Sequence, residues 1–281
     1  MKEKLHILEN IITYLLLAIA LIFFTFPIIY FALISFKPEH DIWNLFSLNF
    51  TLENYRAVLF LGVHNESPYM IFYRPLINSI IISGIATLIS LFVSLLTAYS
   101  ITRFNYKGRE NIAFFILTLY MVPPIVTFIP LWDIAFSLNL LDTHIFLIWC
   151  YTFFGIPLST WLLRGFLVSI PVDIEESAMV DGCSRISVLL RITLPLLKPG
   201  LAATAILTFL LNWNEYLFAS TFTSFNAITL PVTISKFGFW LVIDWTSMAA
   251  MSTLALLPVF ILCFLAQRHI ISGLTLGAVR Q

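Results

Sequence analysis

The sequence predicts an all-α, polytopic membrane protein with six transmembrane helices and cytoplasmic N- and C-termini. Three observations carry this. First, 60% of the 281 residues are hydrophobic and only 11% are charged, with a mean hydropathy of +0.95, whereas soluble domains are about a quarter charged. Second, six apolar stretches each exceed the ~20 residues a helix needs to cross a bilayer. Third, Lys and Arg are concentrated in the segments on one side. Too little polar sequence remains for a soluble domain of any size, so a single transmembrane domain over 1–281 is expected.

The spans are expected at about 11–36, 76–102, 111–132, 143–163, 201–222 and 246–267. The first follows Met1-Lys2-Glu3-Lys4 and resembles a signal peptide. Its apolar run continues to Phe36 with no small-x-small cleavage site after it, so an uncleaved helix is expected. The second, third and sixth contain no Asp, Glu, Lys or Arg; the fourth contains only His144, and the fifth one charge, Glu215. Pro123, Pro124 and Pro130 should kink or break the third span, either to line a cavity or as a kink fixed by packing. A weaker stretch, 226–243, carries Pro231, Lys236 and Gly238 and reads as an outer loop or interfacial segment.

With the N-terminus inside, the inner segments hold eleven of the 15 Lys and Arg: Lys2, Lys4, Arg103, Lys107, Arg109, Arg164, Arg185, Arg191, Lys198, Arg268 and Arg280. Only Lys37, Arg56, Arg74 and Lys236 fall outside. A seventh span would put Arg268 and Arg280 on the wrong side. Trp132, Trp149, Trp161, Trp240 and Trp245 sit mostly near span ends, where the interfacial belt accounts for them. The first outer loop is rich in aromatics, among them Trp43, Phe46 and Tyr55.

The largest inner loop, 164–200, is the most charged region. It reads as two short helices with a break. Pro171 suits a first helical turn, and Asp173, Glu175 and Glu176 place acids near its positive end. Gly182 suits a helix end that needs a positive φ. Ile186, Leu189, Leu190 and Leu194 then form an apolar stripe, and Pro195 and Pro199 mark the entry to the fifth span. Helices this short are marginal alone, so the pair either docks into a groove on a partner or lies on the membrane surface.

This loop resembles the EAA loop of ABC importer permeases. Glu176-Ser177-Ala178 is followed by three residues and Gly182, then by nine residues and Ile192-Thr193-Leu194-Pro195; Ser177 for Ala is the one departure. The resemblance covers nearly the whole chain and is to binding-protein-dependent permeases of the maltose/oligosaccharide type. It includes Ser35-Phe36-Lys37-Pro38, Asn54-Tyr55, Asn78-Ser79, Arg103-Phe104, Gly108-Arg109, Pro123-Pro124, Leu140-Leu141-Asp142-Thr143, Trp213-Asn214-Glu215-Tyr216-Leu217 and the closing Gly273-Leu274-Thr275-Leu276-Gly277-Ala278-Val279-Arg280.

The resemblance implies a type I ABC importer architecture in a bacterial or archaeal cell membrane. It also implies a second homologous permease subunit, a cytoplasmic ABC ATPase dimer, an extracellular or periplasmic solute-binding protein and a sugar substrate. On this reading Glu176, Ser177, Ala178, Asp181, Gly182, Ile192, Leu194 and Pro195 couple to the ATPase, with Glu176 pairing an ATPase Arg. The residues agree in what they lack. No glycine belongs to a phosphate-cradling Gly-x-x-x-x-Gly-Lys-[Ser/Thr] loop, no His-Glu-x-x-His pair occurs, and Cys150, Cys183 and Cys263 have no metal or redox spacing. No enzymatic activity, cofactor, metal or nucleic-acid partner is expected.

Glu215 lies roughly 22 Å along a fifth helix counted from Gly200. Spacing puts Asn212, Glu215, Tyr216 and Ala219 on one helix face. With Asn214, these side chains either contact a sugar through hydrogen bonds and a flat ring, or tie helices together or line an outer gate. A permease for a non-sugar solute and an ion-coupled secondary transporter are the alternatives. The second would need more intramembrane carboxylates or an internal repeat.

Overall fold

The computed structural model describes residues 2–44, 47–63, 66–238 and 243–278, with side chains from residue 10 to 264 of these. Phe46, Trp240, Val279 and Arg280 lie outside the described residues, as do the side chains of Lys2, Lys4 and Arg268. Ten helices matter here: α1 (Lys2–Ile34), α2 (Arg74–Arg103), α3 (Arg109–Met121), α4 (Phe128–Ser137), α5 (His144–Ser169), α6 (Val172–Val180), α7 (Arg185–Trp213), α8 (Leu217–Phe222), α9 (Leu230–Lys236) and α10 (Trp245–Ala278). Five segments are long and apolar enough to cross a membrane: Asn10–Ile34, Tyr69–Arg103, His144–Ser169, Arg185–Trp213 and Trp245–Phe264. Arg109–Met121 and Pro124–Ser137, bent by 89°, make a sixth as one broken span.

The helices run past the expected span ends on the inner side. A helix continues beyond the hydrocarbon wherever its sequence still favours it, and apolar windows mark only the part in lipid. Within the expected inner segment 164–200, residues 164–169 continue α5 and those from Arg185 onward belong to α7. Pro195 sits in the first turn of the α-helical stretch Leu194–Trp213 and Pro199 inside it, and α7 extends back from there through a π-helical turn over Leu189–Thr193. Among the described residues of the weak stretch 226–243 the one helix is α9, seven residues long and too short to span.

The contacts form two compact units, Met1–Tyr73 with Thr233–Leu256, and Arg74–Val232 with Leu257–Gln281. In the first, Ile34, Ile42 and Ala249 pack with Tyr30, Phe31 and Trp245. The two motifs of the first outer loop meet there. Asn54 Nδ2 donates to the carbonyls of Ser35 (2.9 Å) and Lys37 (2.8 Å), and Ser35 Oγ lies 2.6 Å from Tyr55 Oη. Lys37, 4% exposed, donates to the Asn44 carbonyl, which supplies the partner a buried ammonium requires. Most of α1 is exposed, as suits a helix whose solvent is lipid.

The second unit is built on α2, α5 and α7. A column of small residues on α2 (Ser83, Ala86, Thr87, Ser90, Ser94, Ala98) is buried, which lets helix backbones approach closely. Ser90 Oγ and Ser94 Oγ donate across to the Thr152 and Ile156 carbonyls of α5 at 3.3 and 2.9 Å, and Ser159 meets Thr208 of α7 at 2.8 Å. At the end assigned to the outside, Phe222 packs against Phe128, Trp132 and Phe146, with ring centroids 5.1–6.1 Å apart.

Asp142 fixes the connection beyond α8. It sits at φ +56°, a left-handed conformation that Asp tolerates better than most residues. Its carboxylate accepts the backbone N–H groups of Ser224, Phe225, Asn226 and Ala227 at 2.9–3.3 Å. Burial opposes its ionisation, but these four backbone donors outweigh that and hold its pKa below the usual carboxylate value. Asn78 adds bonds to the Asn226 and Ile228 carbonyls, and His144 Nε2 lies 2.8 Å from Asn78 Oδ1.

Candidate functional site: a cytoplasmic helix-turn and a broken span

Only Ile170 and Pro171, both extended, separate α5 from α6. Asp173 and Glu175 lie in the first turn of α6, where the helix dipole favours acids. At its far end Gly182 takes φ +91°. The N–H of Gly182 donates to the Met179 carbonyl (3.1 Å) and that of Cys183 to the Ala178 carbonyl (3.0 Å). This is the paired closure of a Schellman end, in which a positive φ favours glycine. Ser184 then caps α7, its Oγ accepting from Ser187 N at 3.3 Å. The expected separate second helix is instead the start of α7.

The structure splits the two adjacent acids. Glu176, Ser177, Asp181, Gly182 and Pro195 are exposed, while Ala178, Ile192 and Leu194 are half-buried. Glu175 is 3% exposed. Its Oε1 pairs with Arg103 Nε at 2.9 Å and its Oε2 accepts from Tyr99 Oη at 3.1 Å. Ser177 Oγ donates to the Asp173 carbonyl at 2.8 Å, so the hydroxyl that replaces a methyl is satisfied within its own helix. The expected apolar stripe divides too: Leu189 is buried, whereas Ile186 and Leu190, with Val180, are exposed. The turn thus shows solvent an acid beside an apolar patch.

The second candidate region lies where the fifth span breaks. The expected single helix face is corrected, because α7 stops at Trp213 and α8 begins at Leu217. Side chains drive this by taking over backbone partners. Asn214 Nδ2 donates to the Leu210 carbonyl at 2.8 Å. The Glu215 carboxylate accepts the N–H groups of Phe218 (2.9 Å) and Ala219 (3.2 Å), capping α8 at its positive end. Asn212 is buried and donates to Thr87 Oγ1 at 3.1 Å, tying α7 to α2. Asn214 and Tyr216 are exposed.

The break also brings in a residue the sequence reading missed. Asn214 lines a groove of about 500 Å³ with Tyr120, Leu158, Leu162, Leu207, Leu210 and Leu211. Tyr120 lies one residue before the end of α3, beside the break at Val122-Pro123. One residue beside each break therefore lines the same groove. The signal was Pro123-Pro124, which marked the break but not its neighbour. Among the described residues no group of three or more His, Cys, Asp or Glu could hold a metal ion.

Comparisons with known proteins agree with this architecture. Residues 90–275 match the family described as binding-protein-dependent transport system inner membrane component. The chain is 38% identical to the trehalose/maltose transport system permease protein of Thermococcus litoralis, over 91% of each chain. It is 34% identical to the sulfoquinovosyl glycerol transport system permease protein of Agrobacterium fabrum, over 91% of this chain and 88% of that one. It is 32% identical to the galactooligosaccharides transport system permease protein of Bacillus subtilis, over 100% and 98%. Its fold is similar to that in a crystal structure of a bacterial ABC transporter involved in the import of alginate, with a TM-score of 0.75, 23% identity, and 93% and 96% of the two chains covered. The chain is a multi-pass membrane protein and belongs to the binding-protein-dependent transport system inner membrane component family.

Proposed function

We propose that this chain is one permease subunit of an ATP-driven importer for sugars of the oligosaccharide type. It forms half of the pathway and works with a second homologous permease, a cytoplasmic ATPase pair and an outer solute-binding protein. The observation that carries this reading is the closed turn at Gly182, which presents Glu176, Val180, Ile186 and Leu190 to solvent. An acid beside an apolar knob suits a groove with a basic rim. Glu176 pairs an ATPase Arg, Ala178 and Gly182 let the surfaces approach, and Ile192, Leu194 and Pro195 set the direction in which α7 leaves the dock. The sugar class rests on the named substrates of the relatives.

Sugar contacts in this subunit are assigned to the break, where Asn214 and Tyr216 are exposed and Glu215 holds α8 in place. Asn212 is a helix tie. Co-isolation tests the reading. The chain should purify with an ATPase, and Gly182→Val should release it, because a β-branched residue resists φ +91°. Purification without any ATPase, from cells in which the whole complex is produced, contradicts it.

A further inference from the structure

We propose that Arg103 is a positioning residue for energy coupling: it bolts α6 to the ends of α2 and α5, so that force received at the Gly182 turn moves the spans. The proposal rests on the reading of that turn as the ATPase dock. One guanidinium reaches three elements. From the last residue of α2, Nε pairs with Glu175 of α6 at 2.9 Å. Nη2 donates to the Leu167 carbonyl of α5 at 3.0 Å and to the Ile170 carbonyl beyond it at 2.9 Å. These carbonyls lie at a helix C-terminus, which leaves its last four acceptors unpaired and favours a cation.

The pair is built differently from its neighbours. Both side chains are 4% exposed, whereas Glu110, which pairs with Arg109 and Arg164, is 63% exposed. Exposed pairs contribute little; a buried pair holds geometry, because losing either partner strands the other charge. Tyr99, one turn back on α2, supplies the second bond to Glu175. Across the Gly182 turn, Arg185 stacks over Phe104 with its Cζ 4.9 Å from the ring centroid. Both sides of the turn are thus anchored to the end of α2. Without the anchor, α6 loses its buried charged tie to the ends of α2 and α5, and a displaced dock could swing without moving the spans. Of the two adjacent acids, Glu176 faces the partner and Glu175 faces the body.

The test uses the full complex in proteoliposomes with its binding protein, reading uptake of radiolabelled maltose and trehalose against ATP hydrolysed. Spin labels at Phe153→Cys and Val172→Cys, both exposed positions outside the dock, report the seating of α6 against α5. Glu175→Gln and Arg103→Lys should still co-isolate with the ATPase and hydrolyse ATP. Sugar moved per ATP should fall at least about fivefold, the low end of usual coupling effects, and the label distance distribution should broaden. Tyr99→Phe, which removes one bond only, should broaden it less and covers the case in which the stronger variants do not fold. Uptake and hydrolysis falling in proportion, or a distribution as narrow as in the unmutated complex, would overturn the proposal. An unmutated complex that moves neither sugar with ATP, but whose labels respond as expected, contradicts the proposed function and leaves the anchor standing.

Discussion

Gly200→Ala is the sharpest structural prediction, because the packing here demands the absence of a side chain. A Cβ at Gly200 would lie 2.4, 2.6 and 2.8 Å from Cγ, Cδ2 and Cβ of Phe166. Real Cβ contacts are not that close. The clashing atoms include the root of the ring, so no rotation of a distal group relieves them, and α5 and α7 must separate instead. Overpacking of this kind costs about 1–3 kcal/mol. Against it stands the gain of about 0.5–1 kcal/mol from removing a helix-interior glycine. Gly165, a helix-interior glycine of α5, separates the two effects, since a Cβ there meets nothing within 4 Å. Gly165→Ala should leave stability equal or higher, and Gly200→Ala should fall below it by roughly the overpacking cost of 1–3 kcal/mol. Thermal unfolding of the detergent-solubilised chain, followed by size-exclusion fluorescence, measures the difference. Phe166→Leu should relieve part of the loss in the Gly200→Ala background, as expected of residues in contact. Equal melting of the two single variants would refute the close approach of α5 and α7.

Three further outcomes follow from the sites. Gly182→Ala should cost about 1–2 kcal/mol, the penalty of a left-handed residue, and Gly182→Val more; since a Cβ there meets nothing within 4 Å, a threading variant that fits φ +91°, such as Gly182→Asn, should recover most of it in the same unfolding assay. Glu215→Gln, which keeps an acceptor oxygen and removes the charge, should weaken the cap of α8 by about 0.3–1 kcal/mol while ATPase co-isolation is unchanged; unaltered uptake kinetics would remove Glu215 from the pathway. Asp142 is held below its usual pKa, so its contribution is complete above the unfolded carboxylate value and is lost as pH falls through the lower folded one. Chymotrypsin-like cleavage after the exposed Phe225, assayed with an acid-stable protease, should therefore rise only below about pH 4, and Asp142→Asn should raise it at neutral pH.

The fold class was legible because a bilayer imposes it through composition and run length alone. Gly182 was legible for a similar reason: few residues accept its φ, and its neighbours spell a helix end. Glu175 was not. It is adjacent to Glu176, and which of the two is buried depends on Arg103, 72 residues away in sequence. The break after Trp213 was missed because spacing arguments assume a continuous helix, while Asn214 and Glu215 satisfy backbone groups with their own side chains. Helix lengths were underread at every inner end, since hydropathy reports lipid contact and α5 and α7 remain helical past it.

ATP-driven sugar import is measured by reconstituted uptake. The chain, its second permease, the ATPase pair and the binding protein are placed in sealed vesicles, and entry of radiolabelled maltose and trehalose is followed with ATP on the ATPase side. Uptake should require ATP and the binding protein, persist in the presence of an ionophore, and be lost with Gly182→Val together with the bound ATPase. Uptake by this chain alone, abolished by the ionophore and indifferent to ATP, would contradict it.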